Sequence, residues 1–408
     1  MSWSVDIAIV GAGAAGLAAA MRLAGQPLSV AALEARDRVG GRAHTLGAGG
    51  FDLDMGCGWL HSADINPFIP IAETLGFPVD RTPPYWSRPP AAGSGSAAQA
   101  QADFSRALGE LEGRIAQAVA RGEDRPVSEL MTPGAPLNPM LDAFSAYYNG
   151  DEFDQISTLD YDAYQDTEIN WRTPRGYGAL VAAYGAAAPV SLSTPVTRID
   201  HSGPRLRLET PRGVLEARLV IVAAPTPLIA SGALAFAPDL PAARAAAEGL
   251  PLGLADKVFL ALDDAQAFEA DSRLFGALGV TRGAYHMRPF GRPLIEVFLA
   301  GRNARALEGQ GPDAATAFAI DELVSLLGSD IRRRLTPLAA SGWLSDPWSR
   351  GAYSHARPGD AGARRALALA GGERILFAGE ACSPNFFSTA HGAFLSGVAA
   401  AEQALARL

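Results

Sequence analysis

The chain has 408 residues, 48% of them hydrophobic, and a net charge of −9. That length and apolar content allow a large core in roughly two or three domains, and the acidic balance excludes nucleic acid and anionic membrane surfaces as partners. No apolar run is long enough to span a bilayer.

The first residues enter a strand pattern directly, with no basic segment, signal-length apolar run or cleavage site, so a cytoplasmic location is expected. Cys57 and Cys382 make neither a disulfide framework nor a zinc site, and the six histidines lack metal-ligand spacing, so no metal is expected.

Residues 5–10 form an apolar run of strand length. Gly11-Ala12-Gly13-Ala14-Ala15-Gly16 follows, then a helical pattern over 17–24 and a second strand, 28–33, that ends at Glu34. Glycines permit a tight turn and close backbone approach, a helix N-terminus faces a pyrophosphate, and an acid 18 residues after Gly16 accepts ribose hydroxyls. A nucleotide-binding α/β fold is expected from strand, turn, helix, strand and acid in register.

Further on, 103–121 reads as an amphipathic helix through Phe104, Leu108, Leu111, Ile115 and Val119. Residues 83–102, rich in Pro, Gly and Ser, read as a mobile loop. Nine acids and no base lie between Arg125 and Arg172: Glu129, Asp142, Asp151, Glu152, Asp154, Asp160, Asp162, Asp166 and Glu168. They are either a solvated face or an acidic funnel for a cation.

Lys257 is the single lysine among 34 basic residues. Arg cannot lose its proton or match a compact ammonium. The apolar setting of Lys257 predicts a desolvated amine of lowered pKa. On the residues alone, an incidental lysine paired with Asp256 fits as well.

Ala35-Arg36-Asp37-Arg38-Val39-Gly40-Gly41-Arg42, after Glu34, resembles the flavin-containing amine oxidase superfamily of monoamine oxidases, polyamine oxidases and lysine-specific histone demethylases. The resemblance extends through 54–59, 175–180, 194–199, 219–225, 253–260, 343–354, 375–380 and 389–397. It implies noncovalent FAD held by Gly11, Gly13, Ala14, Ala15, Gly16, Glu34, Ala35, Arg36, Gly41, Arg42, Gly58, Trp59, Val196, Glu380, Thr389 and Ala390. Within that set Arg36 and Arg42 would meet the phosphates, Glu34 the adenosine ribose and Glu380 the ribityl chain. The helix opening at Thr389 would face the N1/C2=O edge, where its dipole favours negative charge.

The same resemblance makes Lys257, Trp343, Tyr353 and Thr389 the catalytic set, with Lys257 holding a water at flavin N5 and Tyr353 one wall of an aromatic cage. Core packing is the plain alternative for Trp343 and Tyr353. Ala352 stands where monoamine oxidases carry a flavin-linking Cys, and Thr389 where they carry a second cage tyrosine. The inserted helical hairpin of histone demethylases is missing.

The expected fold is α/β. A Rossmann-like FAD domain of glutathione-reductase type (1–75, 190–250 and 343–408) is interleaved with a smaller α+β substrate domain (76–189 and 251–342). The expected activity is oxidation of an amine to an imine, then aldehyde or ketone, with dioxygen reduced to hydrogen peroxide. The expected partners are a small amine and dioxygen, with a homodimer as the candidate assembly. Rival readings are an amino-acid oxidase or desaturase on the same scaffold, and a flavin-bearing binding protein without turnover. An amino-acid oxidase needs an inward arginine, for which Arg88, Arg172, Arg282 and Arg288 are candidates.

Overall fold

A computed structural model of the chain describes residues 2–87, 95–275 and 282–408. The strand Ser2–Val10 lies parallel between Val30–Leu33 and Gly213–Val222, and Val190–Ser191 extends this sheet at one edge. On the other side Gly213–Val222 pairs antiparallel with Leu206–Thr210, which leads through Arg198–Asp200 to Ala235–Ala237. Ile375–Phe377 joins in parallel alongside Val220–Val222.

Strand alternation divides two cores between the faces of this sheet. Ile7 and Ile9 pack under the helices Ala14–Leu23 and Ala390–Arg407. Ala8 and Val10 pack on the opposite face with Leu208, Leu215 and Phe377.

A second sheet is antiparallel throughout, in the order Ser272–Phe275, Ala284–Met287, Leu294–Ala300, Ala255–Leu262 and Leu335–Ala340. Val258, Leu260, Ile295, Val297 and Tyr285 turn one face to a core closed by the helix Ala314–Leu327. The alternate residues Lys257, Glu296, Phe298, Ala284 and His286 turn the other face to a large cavity. The hairpin Thr45–Ala48/Phe51–Asp54 feeds Leu53 and Met55 into the same core.

A helical lobe completes the chain. Its helix Gly95–Ala120 begins eight residues before the expected start at 103, so 95–102 is helix rather than loop. Alanines and glutamines there have good helix propensity, which outweighs the low sequence complexity. The rest of the expected loop includes a short 3₁₀ turn at Tyr85–Ser87, and residues 88–94, with candidate Arg88, lie outside the described residues. Leu111 and Ile115 are buried in the lobe, while Phe104 and Leu108 also reach the cavity. No helix among the described residues is long and apolar enough to cross a membrane.

Candidate active site

The cavity has a volume of about 1590 Å³, above the ~300–1,000 Å³ of single-ligand pockets and sufficient for a dinucleotide with a substrate beside it. It runs from the glycine turn, past the parallel sheet, to the open face of the antiparallel sheet and the helical lobe. Every expected site residue lines it except Gly16.

Gly16 serves packing instead. A Cβ there would lie 1.8 Å from the Gly11 carbonyl oxygen, so its glycine lets the helix sit directly on the turn. Gly11 adopts φ +98°, where a Cβ would also meet the Ala223 carbonyl oxygen at 2.8 Å. Gly13 caps the helix Ala14–Leu23 with no side-chain acceptor, which leaves the first N–H groups directed at the cavity.

Glu34 is buried and accepts from the Ala12 N–H at 2.7 Å and the Arg36 N–H at 2.9 Å. Each carboxylate oxygen retains a lone pair for a ribose hydroxyl. Arg36 lies on the wall, donates to Asp346 Oδ1 and Ser349 Oγ at 2.7 Å, and has a buried Nε with no partner. Arg42 bridges Glu380 at 2.9 Å and the Ala352 carbonyl at 2.7 Å. Burial works to raise the Glu380 pKa, but Arg42, Ser354 and the Ser388 N–H together lower it. Val196, Ala35, Gly41, Gly58, Trp59 and Ala390 line the same cleft. This cradle of bare backbone, one ribose-type acid and an orphan guanidinium nitrogen fits FAD.

Lys257 is 5% exposed. Burial alone would lower its pKa, but Glu296, 2.8 Å from Nζ, and Asp54 raise it. The expected lowered pKa is therefore corrected: desolvation is present and a partner invisible in local sequence outweighs it. Nζ also donates to the Asp54 carbonyl at 3.0 Å, leaving the third ammonium donor for the cavity. A Cβ at Gly58 would lie 3.2 Å from Nζ, so glycine there leaves the amine room. Asp256 points to the opposite strand face, where it accepts from Ser341 Oγ and the Trp343 N–H. The incidental pairing with Asp256 is not formed.

Behind Lys257 runs a chain of alternating charge. Glu296 stands 3.4 Å from His286 Nδ1, His286 Nε2 stands 2.9 Å from Asp271, and Arg172 joins Asp271 at 2.9 Å and Asp80 at 3.0 Å. Burial would lower the His286 pKa, but its two carboxylate neighbours raise it. Arg172 is thus committed to acids, and stacks on Trp59 and Phe290. Arg288 is likewise committed, to the Phe268 and Gly291 carbonyls.

Trp343 is buried and donates to the Met55 carbonyl at 3.1 Å. Tyr353 donates to the Tyr147 carbonyl at 2.8 Å, and burial raises its pKa. Thr389 Oγ1 accepts from the Gly392 N–H and donates to the Phe386 carbonyl. Its hydroxyl is spent on capping a helix, so Thr389 contributes a wall rather than a proton.

Sequence reading missed the aromatic lining. Tyr147, Tyr148, Tyr161, Tyr164, Phe144 and Phe298 all face the cavity. Five of them, all but Phe298, sit among the nine acids, whose charge masks them in the sequence. Most of those acids do not form a funnel. Asp151, Glu152 and Asp154 pair with Arg305 and Arg302, and Asp160 forms a buried pair with Arg364 at 2.6 Å. Only Asp166 and Glu168 of the nine reach the cavity, joined by Glu112. No cluster of three or more metal-ligating side chains exists among the described residues.

Cradle and cavity together define a flavin-dependent oxidoreductase. Residues 14–405 match the model of the flavin containing amine oxidoreductase family, and the chain belongs to that family: it is an enzyme that uses FAD to oxidise an amine. It is 27% identical to polyamine oxidase 4 of Oryza sativa subsp. japonica, over 99% of this chain and 89% of that protein. It is 26% identical to lysine-specific histone demethylase 1 homolog 2 of Arabidopsis thaliana, over 98% of this chain and 58% of that protein. Putrescine oxidase bound to putrescine shares the fold, with a TM-score of 0.79, 21% identity and full coverage of both chains.

Proposed function

We propose that the enzyme oxidises an aliphatic amine to an imine that water hydrolyses, with dioxygen as the final acceptor and hydrogen peroxide as its product. Supporting this reading is Lys257, whose ammonium is held between Glu296 and the Asp54 carbonyl with one donor left over. Bound in the cradle, FAD supplies the acceptor for the hydride that leaves the amine-bearing carbon.

Lys257 keeps its proton and acts as a fixed hydrogen-bond donor, because Glu296 stabilises its charge. Trp343 and Tyr353 orient the substrate as walls pinned through their polar atoms. Glu112, Asp166 and Glu168 draw a cationic amine to the rim. Glu34, Arg36, Arg42 and Glu380 hold the cofactor, and the segments 76–189 and 251–342 form the substrate half. The polyamine and putrescine oxidases among the relatives support an aliphatic substrate.

FAD is held without a covalent bond in this reading. Ala352 offers no thiol, and burial, with Asp54 adding, pushes the Cys57 thiol up to about 12, which suppresses the thiolate needed for attachment. Acid precipitation should leave all flavin in the supernatant; yellow precipitate would refute noncovalent binding. Anaerobic mixing with an amine panel should bleach the flavin, and admitting air should yield peroxide. A protein that no amine bleaches would overturn the reading.

A further inference from the structure

Arg282 is 6% exposed and lines the cavity, yet its buried Nε and Nη2 have no hydrogen-bond partner. No carboxylate among the described residues forms an ion pair with it. Buried charges are ordinarily paired, since an uncompensated one is costly. The other buried arginines follow that rule: Arg172 has Asp80 and Asp271, and Arg364 has Asp160.

The backbone at Arg282 is fixed. Its carbonyl accepts from Tyr147 Oη at 3.1 Å and Asn303 Nδ2 at 3.4 Å, while the next N–H, of Gly283, donates to Glu322 at 2.7 Å. The Tyr147 ring also packs at a tilt of 50° against Phe298, and its carbonyl accepts from the Tyr353 hydroxyl, so one residue ties the Arg282 backbone to the aromatic wall.

Register sets the distance from Lys257. Lys257 pairs with Phe298, and Phe298 pairs with Ala284, so Lys257 and Ala284 are two interstrand spacings apart, about 10 Å. Arg282 lies two residues further along. Glu112, Asp166 and Glu168 line the cavity as well as Arg273 and Arg282, so its wall carries both signs of charge.

We propose that Arg282 is the anchor for a carboxylate on the substrate, so that the amine oxidised is an amino carboxylate whose acid group lies several atoms from the reacting nitrogen. This rests on the amine-oxidation reading and narrows its substrate class. A guanidinium offers two parallel N–H donors in the geometry of a carboxylate. A diamine would instead bring its far ammonium against an unneutralised Arg282.

The test compares matched five-carbon probes on the holoenzyme. Pentanoate and pentanamide are titrated against the flavin absorption spectrum, and 5-aminopentanoate, its amide and 1,5-diaminopentane are compared in anaerobic flavin reduction. Pentanoate should bind about 10- to 100-fold more tightly than pentanamide, as expected for charge-assisted hydrogen bonds. 5-Aminopentanoate should reduce the flavin at correspondingly lower concentration than its amide or the diamine. Arg282→Gln should erase both differences and Arg282→Lys retain part of them. Equal binding of pentanoate and pentanamide by the wild type, which needs no variant, overturns the proposal even if amines reduce the flavin. Arg282-dependent pentanoate binding without reduction by any amine would uphold the anchor and sink the amine-oxidation reading instead.

Discussion

The two halves of the cavity are walled by different physical means. On the cofactor side the wall is largely main chain: turns at Gly11, Gly40 and Gly41 with positive φ, and helix starts at Ala14 and Ala390. On the substrate side the wall is side chains on a rigid antiparallel sheet, charged and aromatic, with Lys257, Glu296, His286 and Phe298 on one face. A main-chain wall tolerates little added volume, whereas a side-chain wall is sensitive to which charges remain paired.

The strongest expected break lies on the main-chain side. Gly16→Val would drive a branched side chain into the Gly11 carbonyl, 1.8 Å from the Cβ position, and backbone cannot yield as a side-chain tip can. Overpacking typically costs 1–3 kcal/mol and occasionally more, about the upper end here. Melting temperature and flavin content should both fall; retention of both would show that the helix does not sit on the turn as described.

Lys257→Met tests the other side. Methionine preserves most of the apolar volume, so the fold should survive, but losing the positioned donor should slow a half-reaction by about 10²–10⁴-fold. It also leaves Glu296 with only His286, so stability should drop, and adding Glu296→Gln should recover part of the loss. Stopped-flow traces at wild-type rates in both half-reactions would remove Lys257 from the chemistry.

Glu34→Gln should weaken FAD retention by about 1–3 kcal/mol, since a charge-assisted acceptor becomes a neutral amide. Flavin occupancy after dialysis is the measure, and unchanged occupancy would dissociate Glu34 from the ribose.

The smallest effect is in the pH dependence, and its sign differs between residues. His44 and His355 are held down to about 4, chiefly by burial. The unfolded chain therefore binds protons that the native chain does not, and their contribution to stability is lost as pH falls from 6.5 towards 4. His286 is raised instead. Its contribution is present in full below 6.5 and is lost as pH rises through its folded value. His286→Gln should flatten the alkaline side of a melting-temperature profile and leave the acid side unchanged; an unaltered alkaline limb would mean that His286 is not held charged.

Legibility in the sequence follows the same division. The turn at 11–16 and the acid at 34 are contiguous, so their spacing carries their geometry. Lys257 was legible because no other lysine exists and because 253–260 resembles the family's lysine-bearing stretch. Its charge state was not, because Glu296 faces it from a neighbouring strand and Asp54 lies 203 residues away. The tyrosines at 147, 148, 161 and 164 converge only once the helical lobe folds over the sheet. Arg282 was one of four candidates, and among the three in the described residues the pairing of Arg172 and Arg288 elsewhere and the unpartnered nitrogens of Arg282 distinguish it.

The packing of the first helix against the last also constrains how the enzyme is made. A Cβ at Gly397 would lie 2.1 Å from the Ala15 carbonyl oxygen, so the helix Ala390–Arg407 rests directly on Ala14–Leu23, and Ile375–Phe377 completes the sheet beside Val220–Val222. During translation the glycine turn emerges first, and the helix and strand that enclose it emerge almost a whole chain later. The nascent polypeptide therefore keeps the apolar face of Ala14–Leu23 uncovered until the helix that packs on it has been made.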